Sequence, residues 1–154
     1  MTERETTRLI AWSNELRSAH TRLREALALA RAGAGGSDPP LGRDLLLYCR
    51  GFCVALDRHH CGEDRALFPA IETAHPELAP VLRTLSRDHA MIDGLLTALA
   101  GAVDASASPE ELTRHLDGVA AIMENHFAFE ERRLLRVLET LALDADPADV
   151  LGDL

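Results

Sequence analysis

His59-His60-Cys61-Gly62-Glu63-Asp64-Arg65-Ala66-Leu67-Phe68-Pro69 is the stretch on which the fold of this 154-residue chain turns. Glu63 follows His59 by four residues, so in a helix both side chains leave the same face about one turn apart. Leu45, Tyr48, Phe52 and Leu56 continue that face upstream, and Leu67 and Ala70 extend it downstream. An imidazole and a carboxylate therefore fill a gap in an apolar seam. The helix is expected to end near Thr73, before His75-Pro76, with a bend at Pro69, which has no N–H to give the helix.

The arrangement returns in His126-Phe127-Ala128-Phe129-Glu130-Glu131-Arg132-Arg133-Leu134, where Glu130 stands four residues after His126. This helix should begin at Ser108-Pro109-Glu110-Glu111, which supplies a cap, a first-turn proline and acids at the positive end of the dipole. Its inward positions are Leu112, Leu116, Val119, Met123, Leu134, Val137 and Leu141. Two further seams carry a lone histidine. His20 lies between Leu16 and Leu23 in a helix expected from about Glu5 to Arg31, with Trp12, Ala19, Leu27 and Ala30 on the same face. His89 lies between Leu85 and Ile92 in a helix from Pro76-Glu77 to about Asp104, with Leu82, Leu96, Leu99 and Val103. A Gly/Pro-rich loop over 33–40 separates the first two helices, and Asp144 to Leu154 reads as a C-terminal tail with a proline. Four long helices with short connections imply an all-α chain, an antiparallel up-down-up-down four-helix bundle forming one domain over 1–154.

Depth along such a bundle is readable from spacing, at roughly 1.5 Å per residue. His59 lies about 14 residues before its helix end and His89 about 12 after the next helix start, and His89 and His126 match similarly across their own connection. Across the first connection the match is poorer, about 11 residues after His20 against about 19 before His59. A buried carboxylate without compensation costs several kcal/mol. Histidine–glutamate ion pairing accounts for one such pair, but not for six polar groups arriving from four helices. A mixed histidine and carboxylate set favours iron, manganese or zinc over calcium or magnesium. Six ligands, two of them carboxylates able to bridge, suit a pair of ions; the candidates are His20, His59, Glu63, His89, His126 and Glu130.

The remaining polar residues have blander readings. His60 and Asp64 are a parallel four-residue pair rotated off the seam, read as solvated or supporting. Asp93, four residues after His89, is either a ligand or an acceptor that orients His89. His75 and His115 are surface positions. Glu72-Thr73-Ala74-His75 imitates the Glu-x-x-His motif of ferritin-like bundles but sits at a helix end with no duplicate. Cys49, Cys53 and Cys61 share one helix with diverging Cβ vectors, so free thiols are expected. The net charge of -9 argues against nucleic acid and anionic membrane partners. The charged N-terminus and the lack of any apolar run near 18 residues fit a soluble, cytoplasmic protein.

With two His-x-x-x-Glu motifs and lone histidines on the alternate helices, nearly the whole chain resembles the hemerythrin-like cation-binding (HHE) family. The resemblance implies two iron ions joined by an oxo or hydroxo bridge and by both glutamates, with manganese or zinc as other occupants. It also implies a small diatomic or peroxide ligand. Family members bind oxygen reversibly, sense oxygen or redox state, handle nitric oxide or peroxide, or handle iron, so no single activity follows. The chain departs from the oxygen carriers at Asp93, where they have a second histidine, and at Glu131, the position of their last-helix carboxylate. Periodicity favours Glu130 over Glu131. Fewer histidines mean a more open or oxygen-rich iron pair, which stabilises the ferric state and argues against reversible carriage. Three functions stay open: a binding or sensing protein, a di-iron oxidase or peroxide-decomposing enzyme, and an iron storage or transfer protein.

Overall fold

The computed structural model describes residues 3–34 and 42–152, with side chains described for 12–33 and 48–152. Helix α1 spans Glu3–Ala34, α2 Gly42–Gly62, α3 Phe68–Ala74, α4 Ala79–Asp104, α5 Pro109–Leu138 and α6 Pro147–Leu151. A π-helical turn, Glu63–Leu67, joins α2 to α3, and a 3-10 turn, Pro76–Leu78, leads into α4. The described residues contain no strand, as the lack of alternating apolar and polar residues implies. No described helix is long and apolar enough to cross a membrane.

The periodic seams form as their spacing demands. Trp12, Leu16, Ala19, Leu23, Leu27 and Ala30 of α1 are all buried, as are Leu82, Leu85, Ile92, Leu96, Leu99 and Val103 of α4. The α5 cap forms too: Ser108 is extended, its side chain accepts the Glu111 N–H at 3.2 Å, and Pro109 opens the first turn. Most of the expected 33–40 loop and the Leu45 side chain lie outside the described residues. With α1 ending at Ala34 and α2 starting at Gly42, the levels of His20 and His59 come closer than sequence boundaries suggest.

Three seam positions differ from expectation. Tyr48 is 43% exposed and Cys49 takes the inward place; Cys49, Phe52, Leu56, His59 and Glu63 hold the three- and four-residue rhythm. Ala70 and Val137 are only half-buried, with Ile71 and Leu138 inside in their stead. The change at Ala70 has a local cause. Pro69 lacks an N–H, and its ring conflicts with the carbonyl four residues earlier, at Arg65. The chain answers with a wider turn, in which the Phe68 N–H reaches back to the Glu63 carbonyl. The bend expected at Pro69 is thus a π turn, and the shifted phase turns Leu67, Phe68 and Ile71 inward.

α1 packs against α2 and α5, and α4 packs against α5 and α2, closing a ring of long helical segments. The interior holds two apolar clusters, one centred on Leu23, Phe52, Leu99 and Met123, the other on Leu16, Leu67, Leu85 and Leu134. On every long segment the histidines fall between the residues that feed these clusters, so a polar band separates the two halves of the core.

The C-terminal stretch read as a tail is instead folded onto the bundle. Asp146 caps α6 by accepting the Ala148 N–H at 3.0 Å, Val150 and Leu151 are buried, and the helix packs on α2, the π turn and α1. The Trp12 indole N–H donates to the Leu143 carbonyl at 3.0 Å. Gly62 makes the docking possible: a Cβ there would run into the Val150 carbonyl. Gly152 follows with φ of 91°, and a Cβ there would sit 3.2 Å from the His59 backbone nitrogen.

Candidate metal centre

The six residues named from spacing meet in the polar band. His20, His59, Glu63 and Glu130 are fully buried, His126 is 2% exposed and His89 4%. His60 joins them at 5% exposure. Their donor atoms form two groups, His60, Glu63, His89 and His126 in one and His20, His59 and Glu130 in the other, each with atoms within 4.8 Å of one another. One helix serves both groups because consecutive residues diverge by about 100°: His59 turns toward the smaller group and His60 toward the larger.

Orientation follows a common rule. His20 Nδ1 lies 3.2 Å from Glu131 Oε1, His59 Nδ1 2.8 Å from the Leu151 carbonyl, His89 Nδ1 2.9 Å from Asp64 Oδ1 and His126 Nδ1 3.2 Å from Asp88 Oδ2. Ionised carboxylates and carbonyls only accept, so in each ring Nδ1 carries the donated proton. In a neutral ring Nε2 then turns into the core as a lone pair, the tautomer that ligation through Nε2 needs. His89 and His126 bring two such nitrogens to 3.0 Å of each other, a contact that demands a proton or a cation between the rings. His20 is fixed further by stacking on Phe127, with centroids 3.8 Å apart and planes at 5°. His60 stacks on His89 at 3.9 Å.

The protein leaves this interior unsatisfied. Nε2 of His20, His59 and His60 and all four carboxylate oxygens of Glu63 and Glu130 are buried without a hydrogen-bond partner. Oppositely disposed groups do come near: Glu63 Oε1 is 3.0 Å from His59 Nε2 and 3.6 Å from His89 Nε2. Glu130 Oε1 is 3.4 Å from His20 Nε2, and its Oε2 is 3.2 Å from His126 Nε2. Each glutamate thus faces donors of both groups. Buried polar atoms are almost always satisfied in folded proteins, and this concentration of orphans fits divalent cations by chemistry as well as by position. The three cysteines are free and none belongs to either group.

The charges of the metal-free core are constrained by burial. Burial, helped by nearby His20, pushes His59 down to about 3, and burial with His89 depresses His60 in the same way. Burial also opposes charge on His20, but Glu130 and Glu131 outweigh it and raise its pKa. Burial and the Glu130 carboxylate raise Glu63 well above 4.5. Glu130 feels the same burial, yet interactions with Glu63, His126 and His20 keep it ionised.

A pH profile follows. Above 6.5 the unfolded chain has released its histidine protons while folded His20 and Glu63 keep theirs, so stability falls as pH rises through their raised values. Between 4.5 and 6.5 unfolded His59 and His60 bind protons that the folded chain refuses. They outnumber the one that folded Glu63 retains, so stability falls as pH drops. Thermal melts of metal-free protein should therefore peak near 6.5. Each arm should slope at about 1.4 kcal/mol per pH unit per net proton. A profile that changes in only one direction would contradict these assignments.

Sequence reading missed the burial of His60. The doubled His59-His60 was the available signal, but its weight depends on how wide the bundle centre is. Asp64, 39% exposed, does support the site, by holding His89. Asp93 is exposed and belongs to neither donor group. Glu131, 22% exposed, backs His20 while Glu130 lies inside. Asp88 escaped notice altogether. His75 sits at the surface with Glu77 3.3 Å away.

Fold and site together define a helical protein whose core carries paired His/Glu groups able to hold metal cations. The family model of the hemerythrin HHE cation binding domain matches residues 13–138, and the chain belongs to that family. No curated protein and no solved structure matches it.

Proposed function

We propose that this chain is a non-haem di-iron protein that binds or senses dioxygen, nitric oxide or peroxide at the centre between its helices. His60, Glu63, His89 and His126 would hold one ion and His20, His59 and Glu130 the other, with Glu63 and Glu130 reaching toward both. The long segments would run antiparallel, up-down-up-down, within a single domain. The observation that carries the proposal is the set of Nε2 atoms turned inward on His20, His59, His89 and His126 by acceptors on their Nδ1 atoms. Two ferrous ions held there would supply two electrons to an oxidant, which zinc cannot do. The chain's own contribution is to fix the rings, to keep bulk water out with apolar clusters on both sides, and to hold protons on His20 and Glu63 when metal is absent.

A second reading, a di-iron oxidase or peroxide-decomposing enzyme, draws on a cavity of about 250 Å³ whose lining includes His60 and His89. Anaerobic ferrous loading followed by dioxygen, peroxide or nitric oxide separates the two. A spectral change that takes up no more than about one oxidant per iron pair and is reversed by added reductant is the expected result. Sustained turnover of oxidant would select the enzyme, and no spectral response to any of the three would remove the proposal.

A further inference from the structure

The two donor groups differ in their surroundings. His20, His59 and Glu130 are wholly buried, with Phe127 stacked on one ring and the Leu151 carbonyl on another. The larger group borders a cavity. The cavity whose lining includes His60 and His89 also takes in Asp57, Cys61, Asp64 and Asp93, residues of α2, the π turn and α4, and no Lys or Arg lines it. All four of these residues are exposed, whereas the two histidines are nearly buried. The wall thus grades from solvated carboxylates to imidazole. Behind the acids stands His60, which both lines the cavity and belongs to the larger donor group, with its Nε2 buried and without a hydrogen-bond partner.

We propose that this cavity is a vestibule for hydrated divalent cations, through which metal reaches the centre from the α2/α4 side. The proposal rests on the metal centre described above. Asp57 and Asp93 raise the local cation concentration, as a cleft lined by one sign of charge does. His60 is the first soft donor an ion meets on losing water, and loading proceeds from the His60 group to the sealed His20 group. Asp64 has a different duty, since it is held by the Ser86 hydroxyl at 2.8 Å and by His89.

Stopped-flow mixing of metal-free protein with Co²⁺, followed by its visible absorption, tests this. The double variant Asp57→Asn/Asp93→Asn should load roughly 10-fold more slowly at low ionic strength, with the difference closing as salt is added. Its final stoichiometry and melting temperature should match the parent. Ala90→Trp, which adds bulk at another residue of the same lining and removes no carboxylate, should slow loading at every salt concentration. Unchanged rates in both variants with full cobalt binding would overturn the vestibule and leave the centre standing. Failure of the parent to bind cobalt would overturn both.

Discussion

Replacing Glu130 with alanine is expected to strip the protein of both ions. Its two oxygens face different groups, Oε1 toward His20 at 3.4 Å and Oε2 toward His126 at 3.2 Å. One truncation therefore removes a donor from each group, and affinity should fall by roughly 100-fold or more, beyond the usual cost of losing a supporting residue. The metal-free protein should suffer as well, because His20 loses the buried partner that helps keep it charged. Breaking one side of a buried pair costs about 3–5 kcal/mol. His59→Ala should likewise lose metal. His75→Ala is the matched control, since its side chain is 32% exposed and faces Glu77 at the surface. Metal content after dialysis, read beside melting temperature, checks all three, and a Glu130→Ala protein that kept two ions would refute the assignment of Glu130.

Gly62→Ala should have an effect out of proportion to one methyl group. The added Cβ would occupy the space of the Val150 carbonyl, which is backbone and cannot swing aside. Relief requires α6 to lift, exposing Val150 and Leu151 and withdrawing the Leu151 carbonyl from His59 Nδ1. Overpacking of this kind costs about 1–3 kcal/mol. Loss of the acceptor that sets a ligand's tautomer weakens metal binding by roughly 10–100-fold. Nitrogen NMR of the metal-free variant separates positioning from general damage: His59 should lose its fixed Nδ1–H form while His89 and His126 keep theirs. Equal metal affinity in parent and variant would show that α6 merely covers the bundle.

Much of this organisation is legible in the sequence because helical periodicity is a local property. His20 between Leu16 and Leu23, or His89 between Leu85 and Ile92, announces itself as a polar interruption of an apolar seam, and those seams decide what is buried. The two His-x-x-x-Glu spacings add a face shared by two donors. Tyr48 misled because it continues the rhythm from Leu45 as well as Cys49 continues it toward Phe52, and a thiol carries little hydrophobic signal.

What stayed hidden depends on pairings between distant segments. Asp88 looks like any solvated acid on α4 until α5 brings His126 Nδ1 to it. His60 sits one residue off its seam, and only the space between four helices can turn that position inward. The α6 segment is too short to show a period, and its chief contribution is a backbone carbonyl at Leu151 that any residue type would supply. The π turn has a visible cause in Pro69, but sequence distinguishes poorly between a kink and a widened turn.

Anaerobic titration of the metal-free protein with ferrous ion, with bound iron counted after removal of the excess, addresses the central claim most directly. Two equivalents per chain should bind, with the imidazole Nε2 resonances of His20, His59, His60, His89 and His126 responding while that of His75 stays still. Binding of a single equivalent, or none, or a response confined to surface histidines, would mean that the inward-facing nitrogens and carboxylates are not a two-ion centre.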